Sequence, residues 1–173
     1  MQGKILFSRS RIAERVASLG AEISGFYKDT SLTVVVLMNG GLYFAADLTR
    51  CLSCPDLKLD SMAVASYVGQ TRGDDFVFRG KLKLPVRGSN ILLVDDIADS
   101  GITLNTVKKY LLREGAVSVK TCVLLKKELS SGSRPPEWDP DWFAFSVPDV
   151  YVFGYGLDSF ELGRNLPDIY ADC

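Results

Sequence analysis

Ile91-Leu92-Leu93-Val94-Asp95-Asp96-Ile97-Ala98-Asp99-Ser100-Gly101-Ile102-Thr103-Leu104 is the stretch on which the fold turns. Four apolar residues, Ile91 to Val94, read as a short buried strand that stops abruptly at two acids. A turn-rich segment and a helical pattern follow, so the unit is strand, loop, helix. In an open parallel α/β sheet, ligands bind in the crevice beyond the carboxyl ends of the strands, which places these acids before a substrate. The loop from Asp99 to Thr103 offers consecutive backbone N–H groups, a glycine that permits a tight turn, and two hydroxyls at a helix start, the makings of a phosphate cradle. Acids for a metal or for sugar hydroxyls, beside a cradle for phosphate, point to a phosphorylated sugar bound with a divalent cation.

An apolar strand ending in Asp-Asp also occurs in nucleotide hydrolases with a phosphate-binding P-loop. That reading needs Gly, four residues, then Gly-Lys-Ser/Thr, and the chain has no such run. A purely structural strand tolerates one terminal acid, but not easily two, a third at Asp99, and Ser-Gly together.

Outward from this stretch, the chain of 173 residues is 47% hydrophobic and 24% charged, which fits one globular domain over residues 1–173. Its formal charge of −1, from 20 basic and 21 acidic residues, provides no global basic field for nucleic acid or anionic membrane. Histidine is absent. Acid–base work therefore rests on carboxylates, Lys, Tyr or Cys, and a His-dependent triad or His-rich metal site is excluded. The start, MQGKILFSRSR, has no secretory pattern and no run reaches membrane-spanning length, so a cytoplasmic protein is expected. Cys51 and Cys54 form a CxxC pair that trails a predicted helix, where a thiolate gains nothing from a helix N-terminus.

Ile12, Val16, Leu19 and Ile23 recur at helical intervals between Ser10 and Tyr27, with Ser10 as the expected N-cap. Leu32 to Leu37 is too apolar for a one-sided strand and predicts a central one. It runs into Met38-Asn39-Gly40-Gly41, where two glycines allow close approach to an anion, and then into a helix from Leu42 to Cys51. Leu57 to Ala65 predicts a further strand, and Ser66-Tyr67 opens a polar segment to Asp75 with the composition of a mobile lid. Ile102 to Glu114 predicts a helix stopped by Gly115, and Val117 to Leu125 a strand ending at Lys126-Lys127. Leu129 to Pro140 reads as a loop. Trp142 to Phe145 and Val150 to Phe153 are short aromatic strands leading into Gly154-Tyr155-Gly156-Leu157-Asp158.

The stretch from Ile91 resembles the signature of the type I phosphoribosyltransferases, which bind phosphoribosyl pyrophosphate through it. Met38-Asn39-Gly40, Ser66-Tyr67, Lys126-Lys127, and Val147-Pro148-Asp149 through Asp158 stand in the order found in the hypoxanthine and hypoxanthine-guanine members. The resemblance covers nearly the whole chain. It implies an α/β fold with a mostly parallel central sheet flanked by helices, and a small purine-recognition hood at about residues 140–173. It further implies magnesium-dependent transfer of the 5-phosphoribosyl group to N9 of hypoxanthine, and of guanine, in purine salvage.

By this resemblance Asn39 and Gly40 meet pyrophosphate, with a cis peptide between Met38 and Asn39, and Ser66 and Tyr67 begin a loop that closes over the site. Asp95 and Asp96 hold ribose hydroxyls directly or through Mg2+, and Ala98, Asp99, Ser100, Gly101, Ile102 and Thr103 bind the substrate, with Asp99 to Thr103 as its phosphate cradle. Asp99 is the catalytic residue, accepting or sharing the N7 proton. Lys127 donates to the purine 6-oxygen, Tyr151 stacks on the base, and the Val152 backbone meets its edge. Asp158 stands by base and metal, and Arg164 approaches pyrophosphate. Asn39 lacks the positive charge usual at its place. The expected metal set is Asp95, Asp96 and Asp158, and a homodimer or homotetramer is expected. Two other readings belong to this fold: a transferase preferring xanthine, and an RNA-binding regulator, which needs a basic face that the balanced charge does not supply.

Overall fold

The structure is a computed structural model that describes residues 3–66, 76–79, 81–128 and 138–172, with the backbone alone at 65–66 and 76–79. β2 (Thr33–Met38) and β5 (Asn90–Ala98) are neighbours at its centre, paired in parallel from Thr33↔Ile91 to Val36↔Val94. Both are buried on their two faces, which explains why their sequences run apolar without alternation. β3 (Lys58–Ser66) joins β2 on one side, while β6 (Ser118–Lys127) and β7 (Trp142–Val147) extend the sheet beyond β5, all in parallel. β4 (Phe76–Arg79) closes one edge antiparallel to β3, giving the order β4-β3-β2-β5-β6-β7.

Helices cover both faces. α1 (Arg9–Phe26) and α2 (Leu42–Cys51) pack over Val34, Val36, Leu92 and Val94, whereas α3 (Ile102–Arg113) covers Val35, Leu37, Ile91 and Leu93. α1 buries Ile12, Val16, Leu19 and Ile23, the predicted stripe. Each such burial is worth about 1.5–3 kcal/mol. Its cap is Ser8 rather than Ser10: Ser8 is extended (φ −74°, ψ 155°) and its hydroxyl accepts from Arg11 N–H at 3.4 Å, which leaves Ser10 inside the first turn.

From β2 the chain passes through α2 to β3 on one side, and from β5 through α3 to β6 on the other. The strand order therefore reverses between β2 and β5. The crevice beyond their carboxyl ends is the place such sheets reserve for ligands.

The hood differs from its expected span. Trp142–Val147 belongs to the main sheet, and the small antiparallel sheet is built in the order β1-β9-β8 from Gly3–Phe7, Ile169–Asp172 and Val152–Phe153. The amino-terminal strand is thus half of what holds the carboxyl-terminal one, through pairs from Gly3↔Asp172 to Phe7↔Ile169. Of the expected strand Val150–Phe153, only Val152 and Phe153 are paired.

Candidate active site

At the end of β5 the two acids stand side by side and partly exposed. Asp95 Oδ1 accepts from the Asp96 N–H at 2.9 Å, and Asp96 Oδ1 from the Ile97 N–H at 2.8 Å. Burial first, and then the charge of Asp96, push the Asp95 carboxyl well above the usual carboxylate range; burial raises Asp96 as well, against its hydrogen bonds with Asp95 and the Ile97 N–H and, less, the charge of Arg164. Two carboxylates held this way favour a cation, or hydroxyl protons, in front of them.

The adjoining turn reaches α3 through Gly101, whose φ of +73° lies where a side chain is strained and whose Cα faces the Trp138 ring. No side chain caps α3; the Ser100 hydroxyl accepts from Ile102 N–H at 3.4 Å. Positive helix-end charge thus stays available to an anion. A cavity of about 260 Å3 opens here, lined by Asp95, Asp96, Ile97, Asp99, Ser100, Gly101, Thr103 and Leu104.

The turn after β2 meets these acids from the side. The Met38–Asn39 peptide bond is cis. A methyl on Gly40 would run into the Asp96 carboxylate, and one on Gly41 would stand 2.8 Å from the Leu37 carbonyl oxygen and 3.2 Å from the Asp95 Cα. α2 also begins without a side-chain cap.

A second cavity, of about 310 Å3, lies between the sheet and the hood. Asp96, Ile97, Asp99, Lys127, Val150, Tyr151, Val152, Leu157 and Asp158 line it. Lys127 Nζ is 2.9 Å from Asp149 Oδ1 and 3.6 Å from Asp99 Oδ2. Burial works against this ammonium, but the Asp149 hydrogen bond and the Asp99 charge outweigh it and hold the Lys127 pKa above its usual value. Tyr151 is half exposed, and its hydroxyl donates to the Asp158 carbonyl at 3.0 Å.

Arg164 donates to the Gly156 carbonyl at 2.8 Å and pairs with Asp158 Oδ1 at 2.8 Å. Tyr155 donates to Asp47 Oδ2 at 2.7 Å, which ties the hood to α2. Burial and this bond raise the Tyr155 hydroxyl far above an ordinary tyrosine.

The expected site residues Asp95, Asp96, Asp99, Ser100, Gly101 and Thr103 line the first cavity, while Lys127, Tyr151, Val152 and Asp158 meet Asp96 and Asp99 in the second. Asn39 and Gly40 flank them. Ala98 is buried at the strand end and Ile102 is half exposed at the helix start, and neither is among the residues lining these two cavities. Ser66 ends β3, and Tyr67 lies outside the described residues. Among the described residues no three carboxylates or thiols converge as a ready metal cage, and Asp158 is engaged by Arg164. Magnesium is commonly held by one or two carboxylates together with substrate phosphates and water, and Asp95 with Asp96 fits that donor set. Sequence reasoning assigned no role to Asp149, Ile97, Val150 or Leu157; the first is the hydrogen-bond partner of Lys127, and the others are apolar residues whose only signal is their place at strand ends and in the hood.

Residues 3–159 match the Phosphoribosyl transferase domain family. The chain is 36% identical over 169 residues to a hypoxanthine-guanine phosphoribosyltransferase of Aquifex aeolicus, covering 96% of this chain and 93% of that one. It is 37% identical over 172 residues to the corresponding enzyme of Bacillus subtilis, with 96% and 91% covered. A crystal structure of a hypoxanthine-guanine phosphoribosyltransferase from Bacillus anthracis, with a HEPES molecule in its active site, superposes with a TM-score of 0.91 at 29% identity, covering 99% of this chain and 100% of that one.

Proposed function

The chain belongs to the phosphoribosyl transferase domain family, and from that premise we propose that it transfers the 5-phosphoribosyl group of phosphoribosyl pyrophosphate to N9 of hypoxanthine, and of guanine, releasing pyrophosphate in purine salvage. The observation that carries this reading is the pair of cavities that share Asp96, Ile97 and Asp99. A group for sugar and phosphate and a flat base can bind side by side there, with one acid at the junction.

In this reading the turn from Ala98 to Thr103 holds the 5-phosphate, and Asn39 and Gly40 present backbone N–H groups to pyrophosphate. Asp95 and Asp96 hold the ribose hydroxyls and favour positive charge as the bond from C1′ to pyrophosphate breaks and the bond to N9 forms. Asp99 takes the base proton at N7. Lys127 donates to the 6-oxygen, the Val152 backbone meets the edge, and Tyr151 lies against the ring, so their contribution is orientation. Arg164, held between Gly156 and Asp158, adds positive charge on the pyrophosphate side. Bound magnesium, held by Asp95 and Asp96 with substrate oxygens, supplies neutralisation of the leaving group. Ser66 and Tyr67 open the covering loop. Self-association into a dimer or tetramer belongs to the same proposal, supported by Leu42 and Tyr43, which are exposed on the first turn of α2 beside the site. No helix among the described residues is long and apolar enough to cross a membrane; action in the cytoplasm belongs to the same proposal.

The test is pyrophosphate release with magnesium and phosphoribosyl pyrophosphate across hypoxanthine, guanine, xanthine, adenine and uracil. Turnover is expected with 6-oxopurines, and Asp99→Asn lowers kcat by about 100- to 10,000-fold, the usual worth of a positioned base. Preference for xanthine corrects the substrate; silence with every base overturns the proposal, and wild-type rates in Asp99→Asn remove the role of that acid.

A further inference from the structure

Lys127 ends β6, and its side chain is only 15% exposed. Two carboxylates approach its ammonium from different elements. Asp99 comes from the turn after β5, and Asp149 from the turn that follows β7. Their exposures are unlike that of the lysine: the Asp99 and Asp149 side chains are 59% and 66% exposed. Water already solvates both acids, so neither needs the lysine. The lysine, whose side chain is mostly covered, gains more from the pairing than they do.

The two contacts are also unequal. Asp149 makes a hydrogen bond at 2.9 Å, whereas Asp99 stands 3.6 Å away. Asp149 is thus the closer of these two acids, and it holds the ammonium from the side of the hood. A charged ammonium offers donors and no acceptor, so its place determines whether the wall reads an oxygen or an amino group on the ring opposite.

We infer that Asp149 is a positioning residue for base recognition, fixing Lys127 so that the cavity selects a purine carrying an oxygen rather than an amino group at C6. The inference rests on the proposed transferase reading and goes beyond it by naming a residue outside the cavity lining. Specificity then depends on the turn Pro148-Asp149, neither residue of which is among those lining the cavity.

Asp149→Ala tests this, with Asp149→Glu as the conservative partner. In the alanine variant the KM for hypoxanthine is expected to rise about tenfold, the size of one charged hydrogen bond made badly, while the KM for phosphoribosyl pyrophosphate moves less than about twofold. Purine nucleotides with oxygen or an amino group at C6, read as competitive inhibitors, lose most of their difference in affinity. The glutamate variant restores part of it. An unchanged KM for hypoxanthine, or a parallel loss for both substrates with a lower Tm, overturns the inference while leaving the transferase reading in place. Absence of turnover with every 6-oxopurine in the unaltered chain overturns both.

Discussion

The turn after β2 and the turn after β5 each lead a central parallel strand into a helix whose N-cap residue has no capping side chain, yet what each would offer the proposed ligand comes from different parts of the chain. After β5 the chemistry is in side chains: two crowded acids, a third at Asp99, and two hydroxyls. After β2 it is in the backbone, and Asn39, the exposed side chain there, carries no charge. The two are one construction, because Gly40 lies against the Asp96 carboxylate and Gly41 against the Asp95 Cα. Absence of side chains in one turn is the condition for crowded acids in the other.

Gly40→Ala attacks that dependence most directly. The added methyl meets the end of the Asp96 side chain, which can move, so the cost falls on the carboxylate's position more than on folding. Overpacking of this kind costs about 1–3 kcal/mol, which converts to roughly a five- to 150-fold rise in the KM for phosphoribosyl pyrophosphate. Steady-state kinetics beside a thermal melt separate the two costs. A large fall in Tm with an unchanged KM breaks the idea that the turns share one site.

Asp95→Asn sharpens the electrostatic half. The folded pKa of Asp95 is raised by burial and by Asp96, so its contribution to stability is fully present below the unfolded value near 4 and is lost as pH rises through the folded value. At neutral pH the carboxylate weakens the fold. An amide oxygen can still accept the Asp96 N–H. The variant is therefore expected to gain roughly 2–4 °C in Tm at pH 7, or about 1 kcal/mol at this chain length, with the gain vanishing toward pH 3. Affinity for phosphoribosyl pyrophosphate falls at the same time, since the destabilising charge is the useful one. Melts across pH decide it, and a loss of Tm at pH 7 contradicts the assignment.

The same contrast explains what could be read from the residues alone. The unbroken apolar runs Val34 to Leu37 and Ile91 to Val94 announce a sheet buried on both faces, and Asp95 to Thr103 announce a ligand, because side-chain chemistry is local in sequence. The turn after β2 offered only two glycines, and resemblance had to supply its role. The hood was harder still. Gly3–Phe7 pairs with Ile169–Asp172 across the length of the chain, and no neighbouring residue signals a partner so distant. Asp149 escaped for a related reason: its lysine comes from β6, so the pair exists only once β6 and β7 align through Lys127↔Val147.

The smallest expected effect tests whether the turn after β2 can be made to work through a side chain as well. Asn39→Arg places a cation where the family resemblance leads one to expect it, on an exposed residue beside Gly40. An exposed charge pair is worth about 0.2–1 kcal/mol, so the KM for phosphoribosyl pyrophosphate should fall by no more than about fivefold at low ionic strength. That gain is screenable. Toward about 1 M salt the Debye length shrinks to about 3 Å, and the variant should converge on the native chain, whose proposed backbone contacts to the same anion would be short-range and directional. A salt-insensitive gain would mean that arginine makes a buried contact the native turn lacks. No gain at low salt would mean that pyrophosphate does not lie beside residue 39, and the two turns would then no longer share a ligand.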